Sequence, residues 1–192
     1  HLEMSGIDSQ LPSVWHALRE GACPKLEKIR MASCYPVVLV GLASALPTRP
    51  EGCARLKALT VNMSRQEPCQ GLAEACRALA DYLEPCSLEK LSVWGRRCGT
   101  EWFNAAVSRL SSCEWPALRV LSIYASGVAN GERESDALLL ALSRGVWPSL
   151  VYLQVVCLRS SDDAWRALSE AMATGPCLRR LTVLSLQHVF QS

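Results

Sequence analysis

An enzyme needs polar groups that converge, and this chain offers few. Its histidines, His1, His16 and His188, stand far apart. No Ser–His–Asp or Cys–His set is placed to meet around any of them. The glycines form no phosphate-cradling loop of the G-x-x-x-x-G-K type. Asp162 and Asp163 are adjacent carboxylates, but an apolar stripe follows them, and the start of a helix accounts for both. No catalytic residue, cofactor site or metal site is assigned, and the chain is read as non-catalytic.

The ten cysteines form no Cys-x-x-Cys pair and no zinc-type spacing. Several recur at one place: Cys23, Cys53, Cys86 and Cys177 each lie one to three residues before a repeated leucine. Cysteine packs there as a small apolar residue. Buried thiols in a reducing, cytoplasmic setting are the first reading, some disulfides the second, and metal ligation the last.

What remains able to act is aromatic and cationic: Trp94, Tyr124, Tyr152, Lys90 and Arg180. Aromatic rings beside cations are typical of interface hot spots. Whether these five meet depends on the elements that carry them.

Those elements repeat. A leucine, two residues, an aliphatic, one residue and another aliphatic recur as Leu26-Ile29-Met31, Leu56-Leu59-Val61, Leu88-Leu91-Val93, Leu118-Leu121-Ile123, Leu150-Leu153-Val155 and Leu178-Leu181-Val183. The first leucines are 30, 32, 30, 32 and 28 residues apart. A period of this size signals a solenoid. Leu2 and Met4 extend the register as the tail of a further copy.

Each phrase predicts a short strand whose last two aliphatics share one face. Amphipathic helices follow, marked by Leu72, Cys76, Leu79 and Leu83, by Leu39, Leu42 and Leu46, by Phe103, Val107 and Leu110, and by Trp165, Leu168 and Met172. Ser161 or Asp162 predicts one helix cap and Ser135 another. Pro24, Pro116, Pro148 and Pro176 stand at strand entrances, and Gly21, Gly52, Gly145 and Gly175 stand where helix C-caps belong. Trp115 and Trp147 occupy one turn column and are read as packing.

One strand and one helix per unit, joined by short links, predict an α/β solenoid: a parallel sheet on the concave face and helices on the convex face, with right-handed crossovers. The leucines 26, 56, 88, 118, 150 and 178 should form one buried ladder. Residues between the ladder aliphatics then face out in columns. Trp94 and Tyr124 share one column. Lys28, Lys90, Tyr152 and Arg180 share a second. Arg30, Thr60, Ser92, Ser122, Gln154 and Thr182 share a third. Trp94, Tyr124 and Tyr152 could thus form one protein-binding patch flanked by Lys90 and Arg180.

The L-x-x-L-x-L phrase and the strand–helix unit resemble leucine-rich repeats, and the period with a full helix resembles the ribonuclease-inhibitor-type subfamily. The resemblance covers residues 2 to about 186 as one domain, with six full repeats and a partial one at the N-terminus. It departs from the family after each strand, where only Cys34 stands at the usual Asn or Cys place, and Ser64, Arg96, Ser126 and Leu158 stand at the others. Arg65 to Pro68 and Asn130 to Glu134 read as loop insertions. The resemblance implies a non-catalytic scaffold that binds another protein on its concave face. Its alternative is the sensing or substrate-recruiting arm of a larger nucleotide-switch receptor or ubiquitin-ligase adaptor.

The remaining chemistry is bland. At 192 residues, 49% apolar and a net charge of +2, the chain can bury a sizeable core. It has no run of five like charges and no basic stripe, which argues against nucleic acid as a partner. No 18-residue apolar run suits a membrane. The N-terminal copy begins inside its strand, so the chain is read as a segment truncated at one or both ends. Fraying or self-association through uncapped ends is expected.

Overall fold

The computed structural model describes residues 1–5, 11–20, 25–34, 36–45, 56–63, 72–82, 87–96, 99–126, 132–156, 160–174 and 178–187. Seven strands alternate with six helices: β1 (Leu2–Ser5), α1 (Leu11–Arg19), β2 (Lys28–Cys34), α2 (Pro36–Ala45), β3 (Ala58–Met63), α3 (Leu72–Tyr82), β4 (Lys90–Arg96), α4 (Gly99–Ser112), β5 (Val120–Ser126), α5 (Glu132–Ser143), β6 (Tyr152–Val156), α6 (Asp162–Thr174) and β7 (Val183–Gln187). All seven strands form one parallel sheet in sequence order. β1 pairs Leu2 with Ile29 and Met4 with Met31, so the partial N-terminal copy holds its register.

The ladder forms as its spacing demands. Leu26, Leu56, Leu88, Leu118 and Leu150 are buried, as are Ile29, Met31, Leu59, Val61, Leu91, Val93, Leu121, Ile123, Leu153 and Val155. They join one core with Trp15, Leu39, Leu42, Cys76, Leu79, Val107, Leu110, Leu138 and Leu168 from the helices. Successive helices contact one another as successive strands do. The other face of the sheet carries no helix among the described residues.

The last copy is displaced from the sequence reading. β7 pairs Leu184 with Leu153 and Leu186 with Val155. Its phrase is therefore Leu181-Leu184-Leu186, and its first leucine is Leu181, 31 residues after Leu150. Leu178 sits in the preceding turn, half-buried, and does not join the ladder. The segment holds leucines at 178, 181, 184 and 186, so two overlapping phrases compete, and pairing to β6 selects the later one. Val183 and Leu184 are exposed on this edge strand. Met172 is also exposed, because no helix among the described residues covers the far flank of α6.

Capping divides. The Ser161 hydroxyl accepts a hydrogen bond from the Ala164 amide at 3.3 Å and so caps α6. Asp136 of α5 holds that serine twice at 2.8 Å, accepting from its amide and from its hydroxyl. Asp162 and Asp163 form the first turn, where their charge suits the helix dipole, and Asp163 also accepts from Arg166 at 2.9 Å. Ser135 is no cap: α5 begins at Glu132, so Ser135 is a fully buried residue inside the helix. Glu132 to Glu134 accordingly belong to the first turn of α5 rather than to a loop.

Gly145 ends α5 as expected. Its φ is 72°, its amide donates to Leu142 at 3.1 Å, and the Val146 amide reaches Ala141 at 3.4 Å. These two bonds make a Schellman motif, which needs a left-handed residue. Trp115 and Trp147 follow in buried turns, and Trp147 Nε1 donates to the Leu110 carbonyl at 3.2 Å. The expected turn residues Gly21, Cys23, Pro24, Gly52, Cys53, Cys86, Gly175, Pro176 and Cys177, the expected insertion Arg65 to Pro68, and the helix markers Leu46 and Leu83 lie outside the described residues.

Helix α2 lets α1 approach at one point. A Cβ on Gly41 would collide with the Trp15 indole. Alanine in place of a mid-helix glycine usually stabilises by roughly 0.5–1 kcal/mol. Here the sign should reverse: Gly41→Ala is expected to cost about 1–3 kcal/mol in urea unfolding, because a rigid ring must move. A stabilised variant would show that Trp15 does not rest on Gly41.

Candidate functional site

The open face of the sheet is built from the residues between the ladder aliphatics, in three columns. The first runs Lys28, Ala58, Lys90, Val120, Tyr152 and Val183. The second runs Glu3, Arg30, Thr60, Ser92, Ser122, Gln154 and Ser185. The third includes Asn62, Trp94, Tyr124 and Val156, while the register shifts after Met31 on the neighbouring strand β2. A groove of about 720 Å³ crosses these columns, from Arg30 on one side to Tyr152 and Gln154 on the other.

Trp94 and Tyr124 are direct partners in the sheet register, and their rings stack with centroids 5.5 Å apart and planes inclined by 18°. An offset pair of this kind contributes about 0.5–1.5 kcal/mol beyond its burial. Trp94 still leaves 39% of its surface exposed, while Tyr124 is half-buried. The pair is thus a rigid platform open to solvent.

Tyr152 does not join that stack. It lies in the first column, opposite Val120 and Val183, four strand positions from the level of the rings. Its hydroxyl donates to Gln154 Oε1 at 3.1 Å, and the Ser122 hydroxyl donates to the same oxygen at 3.2 Å. Ser92 and Ser122 are buried under the larger side chains around them. The middle of the groove is therefore a floor of hydroxyl and amide groups, with Tyr152 tied to it.

Lys90 is exposed in the first column, as its place in the strand requires. Arg180 is not on this face. The shift of β7 puts Val183 in that column, and Arg180 lies exposed in the turn before the strand. Thr182 likewise leaves the second column, where Ser185 stands instead. Lys28 and Arg30 are exposed on the open face and supply the flanking cations that Arg180 does not. Arg30 contacts Glu3 at 3.3 Å. The sequence puts Ser122 and Gln154 in one column, but the shared Gln154 oxygen that also takes the Tyr152 hydroxyl depends on side-chain conformation, which spacing does not set.

Along the strand entrances runs a fourth row: Glu27, Lys57, Glu89, Arg119, Val151 and Thr182. Its first four members alternate in charge. Lys57 Nζ lies 2.9 Å from Glu27 Oε1. That hydrogen bond and charge hold the Glu27 carboxyl below its ordinary value, with a smaller push from Lys28. Glu27 in turn holds Lys57 above its ordinary value, with a smaller push from Glu89. The charge of Glu27 is thus taken up chiefly by Lys57, and Lys28 is left facing outward.

Among the described residues, no three His, Cys, Asp or Glu side chains converge as a metal site. None of the described helices is long and apolar enough to cross a membrane. Cys76 is a buried thiol and Cys113 a half-buried one. No protein-family model matches the chain, and no curated protein matches it.

The row of alternating charge makes a pH prediction. Glu27 titrates lower when folded, so its contribution is present above its ordinary value of 4.5 and fades as pH falls through the folded value. Lys57 titrates higher when folded, so its contribution is present below 10.5 and fades as pH rises through the folded value. Lys57→Met should therefore melt below the wild type near neutral pH. The gap should close in acid, as pH falls from 4.5 through the lowered folded value of Glu27 and the carboxyl is protonated. A gap that stays constant into acid would mean that the pair adds no stability.

Proposed function

We propose that this chain is a protein-interaction scaffold of the leucine-rich-repeat kind, acting in a reducing, cytoplasmic compartment and without catalysis. In this reading the sheet curves with its open face concave, the helices form the convex side, and the crossovers are right-handed. The partner docks over Trp94 and Tyr124, with Tyr152 and Lys90 at the other margin of the groove. Lys28 and Arg30 take the flanking place first read for Arg180.

The observation that carries this is the stacked pair. Parallel strands need only small or aliphatic residues on an uncovered face. A tryptophan held rigid by a neighbouring ring, yet 39% exposed, has lost much of its rotamer freedom without losing its contact area. Such residues make affinity at low entropic cost. The groove below supplies partly exposed donors and acceptors that can orient a partner: Thr60, Gln154 and the Tyr152 hydroxyl.

Two substitutions test the reading. Trp94→Ala and Tyr124→Ala should leave circular dichroism and cooperative unfolding in place. Each should weaken a partner captured by the wild-type chain by about 2 kcal/mol, roughly 30-fold in Kd. Unchanged affinity in both variants would remove the open face from consideration and turn attention to the helices.

A further inference from the structure

Resting on the reading that the open face docks a protein, we infer that the segment it takes is acidic and extended, with an apolar or aromatic side chain set apart from its carboxylates. The groove is lined by Arg30 and Lys90 and by no carboxylate. Lys28 stands in the same column as Lys90, two strands away. Among the described residues of the three columns the acidic one is Glu3, and it is engaged by Arg30. Glu27, the nearest other carboxylate to Lys28 in sequence, is engaged by Lys57. Glu89, exposed beside Lys90, stands in the entrance row, where two carboxylates, Glu27 and Glu89, face two cations, Lys57 and Arg119. The open face itself, with Lys28, Arg30 and Lys90 against Glu3, is therefore left net positive.

The two kinds of contact sit at opposite margins. Lys90 and Trp94 are four positions apart on one strand, which at about 3.3 Å per residue separates their Cα atoms by about 13 Å. An extended peptide spans that distance in about four residues. Carboxylates at the Lys28–Lys90 margin would thus place a side chain four residues on over the Trp94–Tyr124 platform. The peptide backbone would cross the hydroxyl and amide floor, where the partly exposed Thr60 and Gln154 side chains can bond its N–H and C=O groups.

A single-stranded nucleic acid would also use rings and cations, but it needs cations along its whole path. The first column fails this: Ala58 separates Lys28 from Lys90, and Val120, Tyr152 and Val183 follow.

The test is selection of random extended peptides from a display library on the whole chain. Synthetic copies of the enriched peptides, and a ten-nucleotide oligouridylate, are then titrated by fluorescence polarisation. Wild type, Lys90→Glu and Trp94→Ala are compared, each checked for folding by circular dichroism. Enriched peptides should carry a net negative charge and an apolar residue about four positions from their carboxylates. They should lose roughly tenfold or more in affinity to Lys90→Glu and to Trp94→Ala alike. Neutral or basic peptides that are lost with Trp94→Ala would overturn the acidic partner and leave the docking face standing. Peptides indifferent to both substitutions would overturn both. Failure to enrich any peptide, or tighter binding of the oligouridylate, would overturn the inference as well.

Discussion

From β3 to β7, each strand docks on its predecessor through two backbone amides that donate to one carbonyl. The Glu27 oxygen accepts from Lys57 and Ala58, and the Lys57 oxygen accepts from Glu89 and Lys90. The pattern continues from Glu89 to Arg119 and Val120, from Arg119 to Val151 and Tyr152, and from Val151 to Thr182 and Val183. The distances lie between 2.8 and 3.2 Å. This repeated bond sets the vertical register of the sheet. Once it is made, equivalent residues of successive copies must stand in columns, and every later property follows from what each column holds.

One face of those columns is aliphatic and is covered by helices. A parallel sheet buries its backbone polar groups by pairing, and buries its apolar face by stacking units that could not fold alone. The joints between helix and strand receive specific chemistry. Gly145 turns α5 out through a left-handed residue, Trp147 fills the turn and bonds back to α4, and Asp136 ties the first turn of α6 to α5. The last two contacts link the turn after α5 to α4, and α6 to α5.

The other face shows three chemistries in bands along the strands: cations at the entrance, hydroxyls and amides in the middle, stacked rings at the exit. The banding is a consequence of column register rather than of any single residue. Beside the cationic band, the Glu27–Lys57 pair takes up the carboxylate next to Lys28.

Repetition made the architecture legible from the residues alone. For the first five full copies the period of 30 to 32, the ladder leucines and the parity of the strands needed no coordinates, because a period-two strand leaves no choice of face. The pairing of Trp94 with Tyr124 in one column followed for the same reason. Tertiary structure decided what local pattern left degenerate. Leu178 and Leu181 both open an acceptable phrase, and hydrogen bonding to β6 chose the second, taking Arg180 off the face. Ser135 resembles a cap in sequence, yet α5 starts three residues earlier and buries it. The Tyr152–Gln154–Ser122 bridge and the Glu27–Lys57 pair join residues a full repeat or more from some of their partners. Their geometry exists only after the strands stack, since backbone register is what brings such distant side chains within bonding distance.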